Sequence, residues 1–377
     1  MKEGWKSLTL SACIEKIQPT SKIPSSLYQK DGKYPIVSQE KEFISGYWDN
    51  AEDLFTHNIP VTIFGDHTTV VKYIDFNFII GADGVKILLP KSFLHPKYFF
   101  YCVSSIKIAS HGYARHYRYL KESIISYPTS LSEQQRIVEI LDAEFAKIDA
   151  LKANAEKSLQ AAKDLFQSVL TYELKPKENW KTKSLKEIGK TQTGTTPKTS
   201  DKHNYGSFMP FIKPADINID GLGGLNYDNE GLSEQGVAQG RLFDSYSILM
   251  VCIGATIGKV GYSLRAVSCN QQINVLSPTK DYDYKYLYYY MSSPSFQFKV
   301  IKEGESAKAT LPIINKTKWE NLTITFPESL QEQNAIAIRL DEMNERCKAL
   351  QENYRKTIAL CEDLKQALLR KAFNGEL

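Results

Sequence analysis

The six cysteines of this chain (Cys13, Cys102, Cys252, Cys269, Cys347 and Cys361) include no CxxC pair, and its six histidines do not gather near them. That argues against a zinc site and for reduced, mostly buried thiols in a cytoplasmic protein. No segment approaches the ~20 apolar residues that span a bilayer. The opening stretch MKEGWKSLTLSACIEKI lacks a continuous apolar run of signal-peptide type. Catalytic motifs are missing as well. GATIGK at 254–259 is one residue short of a phosphate-binding loop, and Val260 follows where Ser or Thr would hold a metal. A tight turn at Gly254 and Gly258 is the plainer reading. No Asn/Asp-Pro-Pro-aromatic element exists, nor a Gly-rich loop for a methyl donor. DYDYK at 281–285 loosely resembles a nuclease carboxylate–lysine cluster, but its acids suit a helix start. His67, His111 and His116 sit in polar loops without a nucleophile at a readable spacing. The expectation is a non-enzyme that needs no cofactor and no metal.

What is present is a repeat. The 377 residues, 42% apolar and 24% charged, suit a soluble protein of two or more domains. The net charge of +4 is compatible with nucleic-acid binding without arguing for it, and 22 tyrosines suit wet binding surfaces as well as half-buried strands. Residues 127–142 read YPTSLSEQQRIVEILD, and 326–341 read FPESLQEQNAIAIRLD, 199 positions later. Pro128/Pro327, Leu131/Leu330, Glu133/Glu332, Gln134/Gln333, Ile137/Ile336, Leu141/Leu340 and Asp142/Asp341 coincide. GWKSLTL at 4–10 and NWKTKSL at 179–185 match more weakly at an offset of 175. The order is therefore variable block, shared segment, variable block, shared segment.

Each shared segment reads as a long helix. Proline ends the preceding block, Ser132 and Gln135 have the form of a capping box, and Gly and Pro are then missing through Leu174 and again from Gln331 to Asn374. Val138, Leu141, Phe145, Ile148, Ala155, Leu159, Ala162, Phe166 and Val169 follow heptad spacing, interrupted at Lys152. Leu340, Cys347, Leu350, Tyr354, Ile358, Cys361, Leu364 and Leu368 do so in the second copy, interrupted at the matching Gln351. Some 40 residues at ~1.5 Å rise make a rod of ~60 Å, too long for one small domain to cover. The two rods are expected to pair with each other, antiparallel. The alternative is that each packs only on its own domain.

The variable blocks read as mixed α and β. Strands are expected within 60–66, 77–90, 245–254 and 271–278, and short aromatic helices at Lys97–Ser104 and Tyr284–Met291. Residues 171–183 form a charged linker. Cations, amides and aromatics collect in several expected loops. In the first block these hold Ser38, Gln39 and Lys41, then His67 and Thr68, then Tyr113, Arg115, His116 and Arg118. In the second they hold Thr193, Thr195, Thr196 and Lys198, then Lys213, then Asn270 and Gln271, then Lys308. Arg and Lys neutralise phosphate or bond guanine, and Asn or Gln bonds adenine. For any one of these residues a solvated loop remains the competing explanation.

The doubled proline-plus-SLxEQxxI entry into a long helix resembles the conserved regions of type I restriction–modification specificity subunits. TGTTPKTSDKHNYGSFMPFIKPADI, GATIGKVG, CNQQINVLSP and, in the first block, TIFGDHTTVVKYIDFNFIIGADGVKIL resemble that family's target-recognition domains. LLRKAFNGEL resembles the end of its distal helix, which the first copy, ending SVLTYEL, matches about four residues short. The resemblance implies an α+β fold with a pseudo-twofold repeat. Target-recognition domain 1 would occupy 1–128, a central helix 129–174, target-recognition domain 2 175–327 and a distal helix 328–377. Val138, Leu141, Phe145, Ile148, Leu159 and Phe166 would meet Leu340, Cys347, Tyr354, Ile358, Cys361 and Leu368 in an intramolecular coiled coil. It further implies that each domain reads half of a split site in double-stranded DNA. The partners would be two adenine-N6 methyltransferase subunits and, in the full complex, restriction subunits, with no membrane involved. The competing functions are a DNA-modifying enzyme, nuclease or methyltransferase, with unrecognised motifs, and a coiled-coil interaction protein without a nucleic-acid role.

Overall fold

The computed structural model describes residues 3–108, 115–217, 224–305 and 312–377. It divides into two compact units: residues 1–155 with 356–377, and residues 156–355. The boundaries cut both long helices instead of falling at their ends. Each half-helix packs on the globular part nearest to it, so each unit combines one globular block with two half-helices.

In the first unit, Val61–Gly65 lies between Val71–Ile74 and Val85–Leu88, antiparallel to both. A second sheet centres on Phe78–Gly81, which pairs in parallel with Lys22–Ile23 and Tyr34–Val37 and antiparallel with Leu54–Phe55. These β-branched and aromatic runs are buried along Val61–Gly65 and Phe78–Gly81, as strands covered on both faces should be. The 77–90 run is two strands, separated by a turn in which Gly84 takes φ +81°. The second unit holds a four-stranded sheet ordered Gly189–Thr193, Ile273–Pro278, Ile248–Val251, Val260–Tyr262, and a three-stranded one around Tyr205–Ile212. GATIGK is the turn between Ile248–Val251 and Val260–Tyr262, with Gly254 at φ +103° and Gly258 at φ +91°. DYDYK opens a helix: Asp283 caps Tyr284–Ser292 by accepting from Tyr286 N at 2.7 Å.

The same anchor is built once in each unit. Trp5–Thr9 pairs antiparallel with Ile124–Pro128, and Lys181–Ser184 with Thr323–Phe326. A proline closes each ribbon's second strand or follows it, and a long helix begins: Leu131–Glu173 and Leu330–Phe373. Gln134 is fully buried; its Nε2 donates to Pro128 O at 2.9 Å, and its Oε1 accepts from His95 N at 2.7 Å. Gln333, equally buried, donates to Pro327 O and accepts from Asp283 N, both at 2.9 Å. Tyr98 and Tyr286 donate their hydroxyls to Ser126 O and Thr325 O at 2.9 and 2.8 Å. Asp142 accepts from Lys97 and Tyr101, and Asp341 from Lys285 and Tyr289. The sequence repeat is thus a repeat of hydrogen bonds.

Within each unit the start of one long helix packs with the end of the other. In the first unit Val138 and Leu141 share a core with Leu369 and Ala372, and ion pairs join Lys152 to Glu362 and Asp149 to Lys365. In the second, Phe166 and Leu170 share a core with Leu340 and Cys347, and Arg339 meets Glu173 at 2.7 Å. The pairing is therefore antiparallel. Ile148, Cys347 and Cys361 are buried, Phe145, Leu159, Tyr354, Ile358 and Leu368 half-buried.

Three expectations need correction. The capping serines are Ser130 and Ser329, which accept from Glu133 N and Glu332 N at 3.3 Å, so the helices begin two residues before Ser132 would allow. The helices are 43 and 44 residues long, one residue apart instead of about four, because the tail after Phe373 is not helical. Leu350 and Leu364 are exposed (41% and 49%), while the polar Gln351 is buried, so the second seam runs beside those leucines.

Candidate nucleic-acid interface

Asp66 organises the first unit's polar surface. It follows the strand Val61–Gly65 and is 2% exposed. Its Oδ1 accepts from Tyr117 N at 2.8 Å, and its carbonyl accepts from His116 N at 2.8 Å and faces His116 Nδ1 at 3.0 Å. These bonds fix the start of the helix Tyr117–Glu122. Lys86, from the adjacent strand, meets Asp66 Oδ2 at 3.5 Å. The result is a hollow of about 400 Å³ lined by Asp66, Lys86, Arg115, Tyr117, Arg118 and Lys121. The ammonium groups of Lys86 and Lys121 lie 5.4 and 5.5 Å from the Tyr117 ring centre, within cation–π range. Arg118 lies over Tyr119 at 4.5 Å. Burial, and then the Asp66 charge, push the Tyr117 phenol above its usual range, which keeps it a neutral donor.

Gln39 joins two other candidate segments. Its side-chain oxygen accepts from His67 N at 3.1 Å, and its carbonyl accepts from Thr68 Oγ1 at 2.5 Å. Lys41 is exposed. Ser38 is 3% exposed, shares a hydrogen bond with Ser45 and receives Lys72 Nζ on its carbonyl at 2.9 Å. Burial lowers the Lys72 pKa.

In the second unit two turns meet. Thr195 N donates to Cys269 O at 2.9 Å, Thr193 Oγ1 to Asn274 Oδ1 at 2.7 Å, and Thr196 Oγ1 to Gln271 Oε1. Arg241 donates to Thr193 O. The backbones approach so closely that a Cβ on Gly194 would sit 2.1 Å from Asn270 O. Asn270 braces its own turn, accepting from Gln272 N at 3.1 Å. Thr195 Oγ1, Ser268 Oγ and Asn274 Nδ2 are buried without a hydrogen-bond partner among the described residues. Lys198, Thr196 and Gln271 are exposed; Lys213 pairs with Glu230.

The structure therefore groups Arg115 and Arg118, joins Gln39 to His67 and Thr68, and joins Thr193, Thr195 and Thr196 to Asn270 and Gln271. It does not group Lys198 or Lys213 with them by any hydrogen bond among the described residues. Ser38, His116 and Asn270 are buried (3%, 2% and 9% exposed) and hydrogen-bond within the fold. Tyr113 and Lys308 lie outside the described residues. Lys86, Lys121 and Arg241 lie at these surfaces as well and were not among the sequence candidates. Only Lys86 carried a signal, as the one cation in the apolar strand VKIL. Among the described residues no group of His, Cys, Asp or Glu is placed to hold a metal ion, and no helix is long and apolar enough to cross a membrane.

Comparison with known proteins gives a consistent result. The model of the type I restriction modification DNA specificity domain matches residues 2–161 and 177–360. The EcoR124I/EcoR124II specificity subunit of Escherichia coli, a type I restriction enzyme component, is 26% identical over 377 residues, spanning 94% of this chain and 90% of the relative. A chain solved in work on complex assembly and conformational transition of the type I R-M system superposes with a TM-score of 0.73 at 18% identity, over 100% of this chain and 99% of that one. The HsdS subunit of Thermoanaerobacter tengcongensis superposes at 0.53 and 18%, over 100% and 98%. At such identities the superpositions establish the fold.

Proposed function

This chain belongs to the type I restriction–modification DNA specificity family, whose model covers both of its halves, and from that premise we propose that it is the sequence-reading subunit of such a complex. Target-recognition domains at 1–128 and 175–327 each read one half of a bipartite site in double-stranded DNA. The loops carrying Gln39, Lys41, His67, Thr68, Arg115 and Arg118 face one half. Those carrying Thr193, Thr195, Thr196, Lys198, Lys213 and Gln271 face the other. The helices at 129–174 and 328–377 pair as an intramolecular coiled coil related by a pseudo-twofold. They set the unread spacer and dock two adenine-N6 methyltransferase subunits, one per repeat. Restriction subunits join in the full complex. Chemistry, methyl donor and ATP belong to these partners, in the cytoplasm.

The observation that carries the proposal is the duplicated anchor, in which one set of hydrogen bonds seats two dissimilar blocks on equivalent helix starts. A shared mount for unlike readers is what modular recognition requires. Replacing residues 1–128 with the corresponding block of another family member tests it. Mapping methylated adenines should then show one half of the recognised sequence altered and the other retained. Simultaneous change in both halves would rule out modular reading. The rival reading as a DNA-modifying enzyme requires the chain to cut or methylate DNA without added partner subunits.

A further inference from the structure

We infer that the hollow formed by Lys86, Arg115, Tyr117, Arg118 and Lys121 grips a phosphodiester of the DNA backbone and reads no base. The inference rests on the proposed DNA reading and assigns this part of the surface within it.

Charge is the first argument. Among the described residues that line the hollow, four are cations and the only carboxylate is Asp66. That carboxylate is 2% exposed and already occupied, by the Tyr117 amide at 2.8 Å and Lys86 at 3.5 Å. An excess of positive charge therefore faces outward.

The second argument is how the cations are held. Base discrimination is strongest from a side chain free to present two hydrogen bonds to a base edge. Arg118 is committed to the Tyr119 ring and hydroxyl. Lys86 and Lys121 lie over the Tyr117 ring. An ammonium acts as a compact point charge suited to phosphate oxygens, and both of these are already drawn to the ring. Tyr117, kept neutral by burial and by Asp66, adds a hydroxyl donor where a phosphate oxygen accepts. The second unit's paired turns differ in kind, with exposed Thr196 and Gln271 hydrogen-bonded to each other. What they present is a neutral hydroxyl and a neutral amide.

The test uses the full chain co-purified with its methyltransferase partners, and the variants R115A, R118A and K121A, singly and combined. All three side chains are exposed, so folding should survive. Binding to the recognised duplex and to an unrelated duplex is measured across salt concentrations. Each lost phosphate contact should flatten the slope of log K against log salt by about 1 and weaken both duplexes by the same factor. The methylation pattern should stay as in the parent. An unchanged slope, or a loss confined to the recognised duplex, overturns the inference. So does inorganic phosphate that binds the parent but not the triple variant when duplex affinity is equal in both, which marks a small-anion site. If the parent complex itself fails to distinguish the two duplexes, the proposed function fails instead, and the two failures are separable.

Discussion

Tyr101 and Tyr289 hold the same post in the two units, each hydrogen-bonding the aspartate at the twelfth residue of a long helix. Burial pushes the Tyr289 hydroxyl far above its usual range, and its bond to Asp341 adds to the shift. It is therefore a permanent donor, and Asp341 depends on it together with Lys285. Tyr289→Phe keeps the ring against Phe166, whose centre lies 6.2 Å away, and removes only the donor. The expected loss is about 1–2 kcal/mol, because a partly buried carboxylate oxygen is left without its partner. Urea unfolding of the full chain should show a lower midpoint at unchanged slope. An unshifted midpoint would mean that Lys285 alone seats the helix. Tyr101→Phe should behave alike at Asp142.

Elements meet most tightly where the Gly194 turn crosses the Asn270 turn. Alanine there would drive its Cβ to 2.1 Å from Asn270 O and 2.4 Å from Cys269 O, both backbone atoms that cannot step aside. Gly194→Ala should cost about 1–3 kcal/mol, as overpacking does, by separating Thr196 from Gln271. In the assembled complex, one half of the methylated sequence should lose definition and the other keep it. A methylome identical to the parent's would remove this turn from recognition. The long helices and the most buried strands, Val61–Gly65, Phe78–Gly81, Ile248–Val251 and Ile273–Pro278, were legible because Pro128, Pro327 and the glycines of GATIGK punctuate strong patterns, whereas most of the shorter strands carried no such signal. The caps were misplaced by two residues because Ser130 and Ser132 are equally good capping residues, and only three-dimensional contacts choose between them. The hollow was half legible. Arg115 and Arg118 stood out as a local cluster, whereas Lys86 joins them through tertiary contacts with Asp66 and the Tyr117 ring, and Asp66 itself bonds an amide 51 residues away.

At the scale of the molecule, the proposed spacer is a length written in helix. Seven residues rise about 10 Å, close to three base pairs at ~3.4 Å each. Three base pairs also turn the second half-site by about 100°, since half-sites on one face repeat every ~10.5 pairs. Removing 152–158 and their repeat equivalents 351–357 takes one heptad from each helix and keeps both seams in phase, because Lys152 and Gln351 occupy matching positions. The complex should then either prefer a shorter spacer or lose binding to the bipartite site, while any site it still methylates carries both parental half-sequences. Removing only 152–158 leaves the partner helix a heptad too long for the same pair of anchors, at Gln134 and Gln333. Its assembly with methyltransferase subunits should fail outright. Methylome mapping of the doubly shortened chain decides the matter: the parental spacer at parental affinity would show that these helices brace the readers without measuring the distance between them.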